Sequence, residues 1–254
     1  MLNKIIEVVK EAGQIMLNAR YIKDNVESKQ GRANFVTKYD VEVQNYLYHE
    51  LAKLIPTATF VGEEDEAEDH EQGDYNFIID PIDGTTNFIF DYKHSSISVA
   101  LQYQNRLEIG VVYNPYLDEV FYAKRKEGAF RNGVPLTIED LSLEEGIVSI
   151  GTSPYYREKA DETFLLARKL YDNALDIRRS GSAALDICYV AAGRFVLFYE
   201  MKLSPWDYAA ASLILTEAGG SISCMDGKEL NLSKPCSVLA ATKTAYDEYF
   251  SILK

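Results

Sequence analysis

The sequence predicts a mixed α/β or α+β fold, on three observations. Segments of helical period alternate with strand-like runs along most of the 254 residues. A series of short antiparallel strands with hairpin turns occupies part of the first half. Proline and glycine fall at the ends of segments, where they punctuate rather than break them.

The elements follow in order. Ile5, Val8, Val9, Ala12, Ile15, Met16 and Ala19 recur at helical spacing, so the first twenty residues read as an amphipathic helix. A short strand or turn is expected around residues 34–37, then a helix from about Asp40 to Ile55, ended by Pro56. Thr59-Phe60-Val61 reads as a strand that delivers Glu63 to its end. From Glu63 to Asp74 eight of twelve residues are carboxylates, which reads as a solvated loop in which only the first member needs a role in a site. Tyr75 to Ile79 is a strand. Residues 97–104 and 107–113 alternate around Gln104-Asn105-Arg106 as a hairpin, and strands at 119–124 and 128–130 are closed by Asn132-Gly133. Then come a strand at 147–150, a helix near 158–171, a strand at Ile177, a helix over 182–191 and a strand over 195–199. Pro205 opens a helix that Gly219-Gly220 ends. Strands near 221–223 and 238–240 precede a closing helix from Lys243.

Composition excludes several classes. With 47% apolar residues the chain can bury a sizeable core, and its length suits one compact unit or two tightly joined halves. A formal net charge of −13 argues against nucleic acid or an anionic membrane as partner. No stretch is apolar enough to span a bilayer, and charges at Glu7, Lys10 and Glu11 are unlike a signal peptide. Three scattered cysteines without a C-x-x-C read as reduced thiols in a cytoplasmic protein, and three histidines without paired spacing argue against structural zinc.

The most informative segment is Asp80-Pro81-Ile82-Asp83-Gly84-Thr85-Thr86-Asn87-Phe88. Two carboxylates close an apolar strand, Pro81 and Gly84 turn the chain, and Thr85 or Thr86 is expected to cap a helix. Carboxylates hold hard divalent cations and free N–H groups hold phosphate oxygens, so the segment suits metal-assisted phosphate chemistry. A bare pair of aspartates in a turn is usually solvated. Here the pair ends a strand expected to be buried, and its spacing does not fit a calcium loop.

This segment resembles the first signature of the inositol monophosphatase family. Trp206-Asp207-Tyr208-Ala209-Ala210, after Leu203-Ser204-Pro205, resembles the second, and Phe60-Val61-Gly62-Glu63-Glu64 is similar to an upstream element. The resemblance runs from about Lys29 to Gly220 and implies a layered α-β-α-β-α sandwich. A half over residues 1–145, carrying Glu63, Asp80 and Asp83, would meet a half over 146–254, carrying Asp207, with the metals between them.

The resemblance also implies the chemistry. Glu63, Asp80, Asp83 and Asp207, with the Ile82 carbonyl, would hold two or three Mg²⁺ ions. Without cations four carboxylates carry about −4 and a phosphate monoester adds about −2, so phosphate binding at such a site demands metal. Water activated by the metal would attack in line, oriented by Glu63 and the Thr85 hydroxyl, while the Gly84 and Thr85 N–H groups stabilise the phosphoryl oxygens. Asp83, Gly84, Thr85, Gly181, Ser182, Ala183, Glu200 and Asp207 would contact substrate, and Lys29 and Asp40 would lie nearby. Simpler readings stand beside several of these. Asp207 can serve the macrodipole of its helix, Ser182 can be an N-cap, Glu200 can be a surface strand end and Asp40 can be a helix cap. Trp206 reads as a core anchor.

The expected activity is Mg²⁺-dependent hydrolysis of inositol monophosphate, with inhibition by lithium and a homodimer. Thr86-Asn87 resembles the inositol branch more than the nucleotide-bisphosphate branch. NADP 2′-phosphatase or fructose-1,6-bisphosphatase activity at the same site is an alternative, and a metal-binding scaffold without catalysis is another. The chain departs from the family at Asp91-Tyr92-Lys93-His94-Ser95 and at Phe195-Val196-Leu197, so the leaving-group side of the pocket is expected to differ from that of an inositol specialist.

Overall fold

A computed structural model of the chain describes residues 1–28, 35–65 and 73–253. Its elements are α1 (Leu2–Asn18), β1 (Val26–Ser28), β2 (Phe35–Thr37), α2 (Lys38–Leu54), β3 (Thr59–Gly62), β4 (Tyr75–Asp83), α3 (Thr85–Ile89), β5 (Ser96–Tyr103), β6 (Arg106–Asn114), β7 (Glu119–Lys124), β8 (Ala129–Arg131) and β9 (Val134–Leu136). They continue with β10 (Ile147–Ile150), α4 (Ala160–Tyr171), β11 (Asp176–Arg178), α5 (Ala183–Ala191), β12 (Leu197–Leu203), α6 (Pro205–Glu217), β13 (Ser221–Ser223), β14 (Cys236–Ala241) and α7 (Lys243–Ile252).

A seven-stranded sheet runs in chain order from β3 to β9, parallel at β3–β4 and antiparallel elsewhere. Its hairpins turn on Gln104-Asn105 and Asn132-Gly133, all at positive φ, as the right-handed strand twist requires of two-residue turns. A five-stranded sheet has the order β11-β10-β12-β14-β13 and is mixed.

The two-residue period of the strands explains the layers. On β4, Phe77 and Ile79 join the core formed with α1 and α2 through Val9, Val43 and Leu47. Ile78 faces the opposite way, into a core shared by α5, α6 and the second sheet, where it meets Leu185, Ile214 and Phe198. On β12, Leu197 and Tyr199 face a third core with Leu166 and Leu170 of α4 and Tyr249 of α7. The result is α1/α2, sheet, α5/α6, sheet, α4/α7, the α-β-α-β-α sandwich. The middle helices are covered on both sides, which is why α5 is buried along its whole length and α6 is apolar nearly all round.

Two expectations change. The strand expected over 195–199 runs from Leu197 to Leu203, because its pairing with β14 continues past a register shift after Glu200. The helix near 158–171 starts with a 3₁₀ turn, Arg157–Lys159, before α4. Among the described residues no helix is long and apolar enough to cross a membrane.

Candidate active site

Asp80 and Asp83 lie three residues apart, and in a regular strand that spacing would send them to opposite faces. Pairing resolves the difficulty. Asp80 is opposite Ser98 and Asp83 opposite Ser96, so three steps on β4 match two on β5. The extra residue is a bulge, placed where Pro81 has no N–H to give to a ladder, and it turns both carboxylates toward one point. Asp207 reaches that point from α6. Oxygens of Asp80, Asp83 and Asp207 lie within 4.8 Å of one another.

The three are held differently. Asp83 accepts hydrogen bonds from the Ser182 hydroxyl, the Ala184 N–H (2.9 Å), the Ala183 N–H (3.2 Å) and the Ser96 hydroxyl (3.4 Å). It therefore satisfies the first turn of α5 from another part of the chain. Asp207 accepts from the Ser204 N–H at 2.7 Å in a capping box, so its roles as helix cap and as cluster member coexist. Asp80 is 1% exposed, and its Oδ1 is buried with no hydrogen-bond partner among the described residues. Burial raises all three carboxyls: Asp83 to about 6, and Asp80 and Asp207 well above the usual range, with the Glu63 charge the next cause for both. A buried orphan oxygen among mutually repelling carboxylates is the donor set of a hard cation.

Glu63 follows β3, with its N–H bonded to the Ile79 carbonyl at 3.2 Å. It lines the cleft but stands outside the tight set of three. The cap expected at Thr85 or Thr86 is not formed. Gly84, at φ 88°, is the N-cap of α3 and carries the chain straight from strand into helix, which leaves no extended position for a threonine cap. The Thr85 hydroxyl is freed for the Ile82 carbonyl at 3.1 Å and Asp40 Oδ1 at 3.3 Å. Asp40 is both helix cap and site support: it takes the Thr37 N–H at 2.8 Å and, through Thr85, touches the site. Burial lifts its carboxyl to about 6 against the Thr37 hydrogen bonds.

The cleft occupies about 390 Å³. Gly181, Ser182 and Ala183 form part of its wall; Ser182 caps α5 by accepting from the Leu185 N–H at 3.4 Å as well as donating to Asp83. Glu200 is not a surface strand end. It is 7% exposed, inside β12, and accepts from the Ser153 N–H at 2.6 Å. Burial raises its carboxyl to about 7, opposed by Ser153 and by the charge of Arg179. Trp206 is partly buried, packs on the middle core and also lines the cleft. The divergent segment after α3 supports the site through its backbone: the Asn87 side-chain amide donates to the His94 carbonyl at 2.7 Å and to the Ser180 carbonyl at 2.9 Å, tying that segment to the Gly181 loop. Lys29 lies outside the described residues.

Sequence reasoning missed Asp186, Ser153, Tyr155, Arg179 and Lys202, all of which line the cleft. Asp186 had a legible signal, a lone carboxylate in the apolar run of α5. It is 1% exposed and accepts from the Ser180 hydroxyl, and burial lifts it to about 8. The folded state thus holds this proton more tightly than the unfolded chain. The resulting stability is complete below the ordinary carboxylate range and is lost as pH rises toward 8. Asp186→Asn is expected to gain about 1–3 kcal/mol over wild type at pH 8 relative to pH 5 in metal-free urea unfolding. A difference between the two proteins that does not change with pH would refute this account of Asp186.

A five-layered sandwich with acidic oxygens at a strand bulge facing a cleft is an arrangement this chain shares with phosphatases. The family model described as "Inositol monophosphatase family" matches residues 1–253. "Nus factor SuhB" of Haemophilus influenzae is 38% identical over 228 residues, covering 89% of this chain and 85% of that protein. "Inositol-1-monophosphatase" of Rhizobium meliloti is 37% identical over 222 residues, covering 87% and 84%. The solved structure of a Thermotoga maritima IMPase superposes with a TM-score of 0.88 at 35% identity, covering 98% of this chain and 94% of that one. The chain belongs to the inositol monophosphatase family.

Proposed function

We propose that the protein hydrolyses inositol monophosphate in a Mg²⁺-dependent reaction. The observation that carries this reading is the buried Asp80 oxygen, without a hydrogen-bond partner among the described residues, within the Asp80–Asp83–Asp207 cluster and facing a cleft that also contains Glu200. Asp80, Asp83 and Asp207, with Glu63 and the Ile82 carbonyl, would hold two or three Mg²⁺ ions, whose all-oxygen preference they match. Bound there, Mg²⁺ supplies Lewis acidity and makes water a nucleophile near neutral pH.

The remaining work falls to the chain. The Thr85 hydroxyl donates to Asp40 or to the Ile82 carbonyl, and its lone pair accepts a hydrogen bond from the attacking water, which it orients; Glu63 is the base that takes the proton. The N–H groups of Gly84 and Thr85 face the phosphoryl oxygens; α3 has only five residues, so local N–H groups rather than a macrodipole matter. Glu200, fixed by Ser153, accepts hydroxyls of the polyol, and Gly181, Ser182 and Ala183 border it. Lithium inhibition and a homodimer belong to the same reading.

Relatives described as Nus factor SuhB match this chain as well as the one described as inositol-1-monophosphatase, so turnover of a defined ester is the decisive measurement. Phosphate release from inositol 1-phosphate, fructose 1,6-bisphosphate, NADP and adenosine 3′,5′-bisphosphate, over a Mg²⁺ titration, is expected to reveal hydrolysis of the inositol ester that chelation abolishes. A preference by kcat/KM for the adenosine compound would move the protein to another branch. Turnover unaffected by exhaustive chelation would reject the reading, and no turnover of any ester would reject it and favour a metal-binding scaffold.

A further inference from the structure

Of the three cysteines, Cys188 is fully buried in α5, while Cys224 and Cys236 are both partly exposed and come together where β13 meets β14. These strands are antiparallel, with Ile222 opposite Ala240 and Ser223 opposite Leu239. One further step of that register sets Cys224 opposite Val238. Cys236 lies two residues from Val238 on the same strand, so both sulfurs fall on one face of the sheet, diagonally across the pair. Ile222, Cys236, Val238 and Ala240 all pack toward the middle core, as that face requires. Beyond the last ladder pair the Met225 N–H donates to the Ser237 hydroxyl at 3.0 Å and keeps the two chains together. The Cys224 and Cys236 thiols are hydrogen-bonding neighbours.

Each thiol also has a partner of its own. Cys224 Sγ donates to the Glu229 carbonyl at 3.4 Å, and Cys236 Sγ donates to the Tyr208 hydroxyl at 3.3 Å. That hydroxyl in turn donates to the Asn231 and Lys234 carbonyls. Residues 225–235 therefore form a mostly exposed loop with a thiol at each end, gathered around Tyr208, the residue after Asp207 on α6. A thiol is a weak donor, so these contacts hold the sulfurs in place without committing them.

We propose that Cys224 and Cys236 are a reversible disulfide site, closed by a peroxide and reopened by a dithiol, in which Cys236 meets the oxidant first. The Cys236 thiolate attacks one oxygen of hydrogen peroxide. The O–O bond breaks, one water leaves, and Cys236 becomes a sulfenic acid. The Cys224 sulfur then attacks the Cys236 sulfur; the S–S bond forms, the S–O bond breaks and a second water leaves. Two thiols have lost two electrons and two protons, and the peroxide has become two waters. A dithiol reverses the change by two exchanges and ends as a disulfide itself. The order follows from the surroundings. Burial, and next the hydrogen bond with Cys236, raise the Cys224 thiol to about 11, which makes it a poor first nucleophile. In the second step proximity makes up for that. Closing the ring also removes the S–H donor from the Tyr208 hydroxyl and fixes both ends of the loop.

The test treats the reduced full chain with a small excess of hydrogen peroxide, then alkylates it under native conditions and maps it by non-reducing mass spectrometry. Before oxidation both Cys224 and Cys236 should alkylate while Cys188 does not. After it neither should, one peptide pair should be joined through Cys224 and Cys236 within a single chain, and dithiothreitol should restore both thiols. In Cys224→Ser the reaction should stop at a sulfenic acid on Cys236 that dimedone traps. Cys236→Ser keeps an O–H donor for Tyr208 and should consume peroxide about tenfold more slowly than wild type. Two thiols still open to alkylation after peroxide overturn the proposal, as do links only between chains or a sulfinic acid without a bridge. A Cys236→Ser chain that reacts as fast as wild type overturns it too. None of these readouts uses phosphate release, so the result stands apart from that of the phosphatase reading.

Discussion

Asp80→Asn is expected to lower kcat/KM by about a thousandfold or more while making the metal-free protein more stable. The two effects have one cause. Asp80 is buried, has an oxygen without a hydrogen-bond partner among the described residues and sits against Asp83, Asp207 and Glu63. Burial and those charges raise its carboxyl well above the ordinary range, so its contribution to stability is lost as pH rises past that range. Asparagine removes the charge and keeps the shape. At pH 7.5 in chelator the variant should melt roughly 3–8 °C above wild type, the scale expected of about 1–3 kcal/mol in a chain of this size. At pH 4–5 the gap should narrow. Mg²⁺ should then raise the wild-type Tm more than that of the variant, because binding to the folded state alone stabilises it. Thermal melts with chelator and with Mg²⁺, beside phosphate-release assays, check this. A metal-free variant less stable than wild type, or one retaining a tenth of the activity, would contradict the account.

Gly84→Ala should damage both activity and stability, and Gly133→Ala should separate the reasons. Gly84 has φ 88°, and a Cβ there would meet the Gly181 carbonyl oxygen at 3.0 Å and the His94 carbonyl oxygen at 3.2 Å. Those neighbours are backbone, one on the Gly181 loop that borders the cleft and one on the segment that Asn87 ties to it, and cannot swing aside as a side chain can. Gly133 has a similar φ, 82°, with nothing within 4 Å of the added carbon. Backbone strain alone costs about 1–2 kcal/mol, and both variants should show it. Only Gly84→Ala should also lose turnover, by about a hundredfold, since a shift near 1 Å at a reacting centre has that effect. Urea midpoints and kcat of the two variants measure the difference. Equal activity in both would mean that the contact with Gly181 and His94 does not position the site.

The legibility of the site varied residue by residue. Asp80 and Asp83 could be picked out because carboxylates that close an apolar strand are costly without a purpose, and Asp207 because its segment resembles the family's second signature. Their convergence could not. It depends on the β4–β5 register shift, on α6 crossing the same sheet and on Asp83 capping α5 one hundred residues later. The threonine cap failed for a local reason: a left-handed Gly84 replaces the extended cap residue that the rule assumes. Asp40, Ser182 and Asp207 each cap a helix, and they also touch Thr85, bond Asp83 and belong to the acidic cluster respectively, because one carboxylate or hydroxyl has lone pairs enough for both. Arg179 and Lys202 look like solvated surface charges in the sequence, and only the fold sets them against Thr152 and Tyr156.

By itself the sequence determined the order and kind of most elements and which carboxylates of β4 had to be explained, through periodicity, turn chemistry and the cost of burying charge, while the family was legible in the resemblance of three short motifs. Tertiary structure alone decided which faces meet, that the two sheets sandwich α5 and α6, and that oxygens from β4 and α6 share one small volume. Those outcomes depend on strand register and on the close packing of layers, and neither is a property of any single segment.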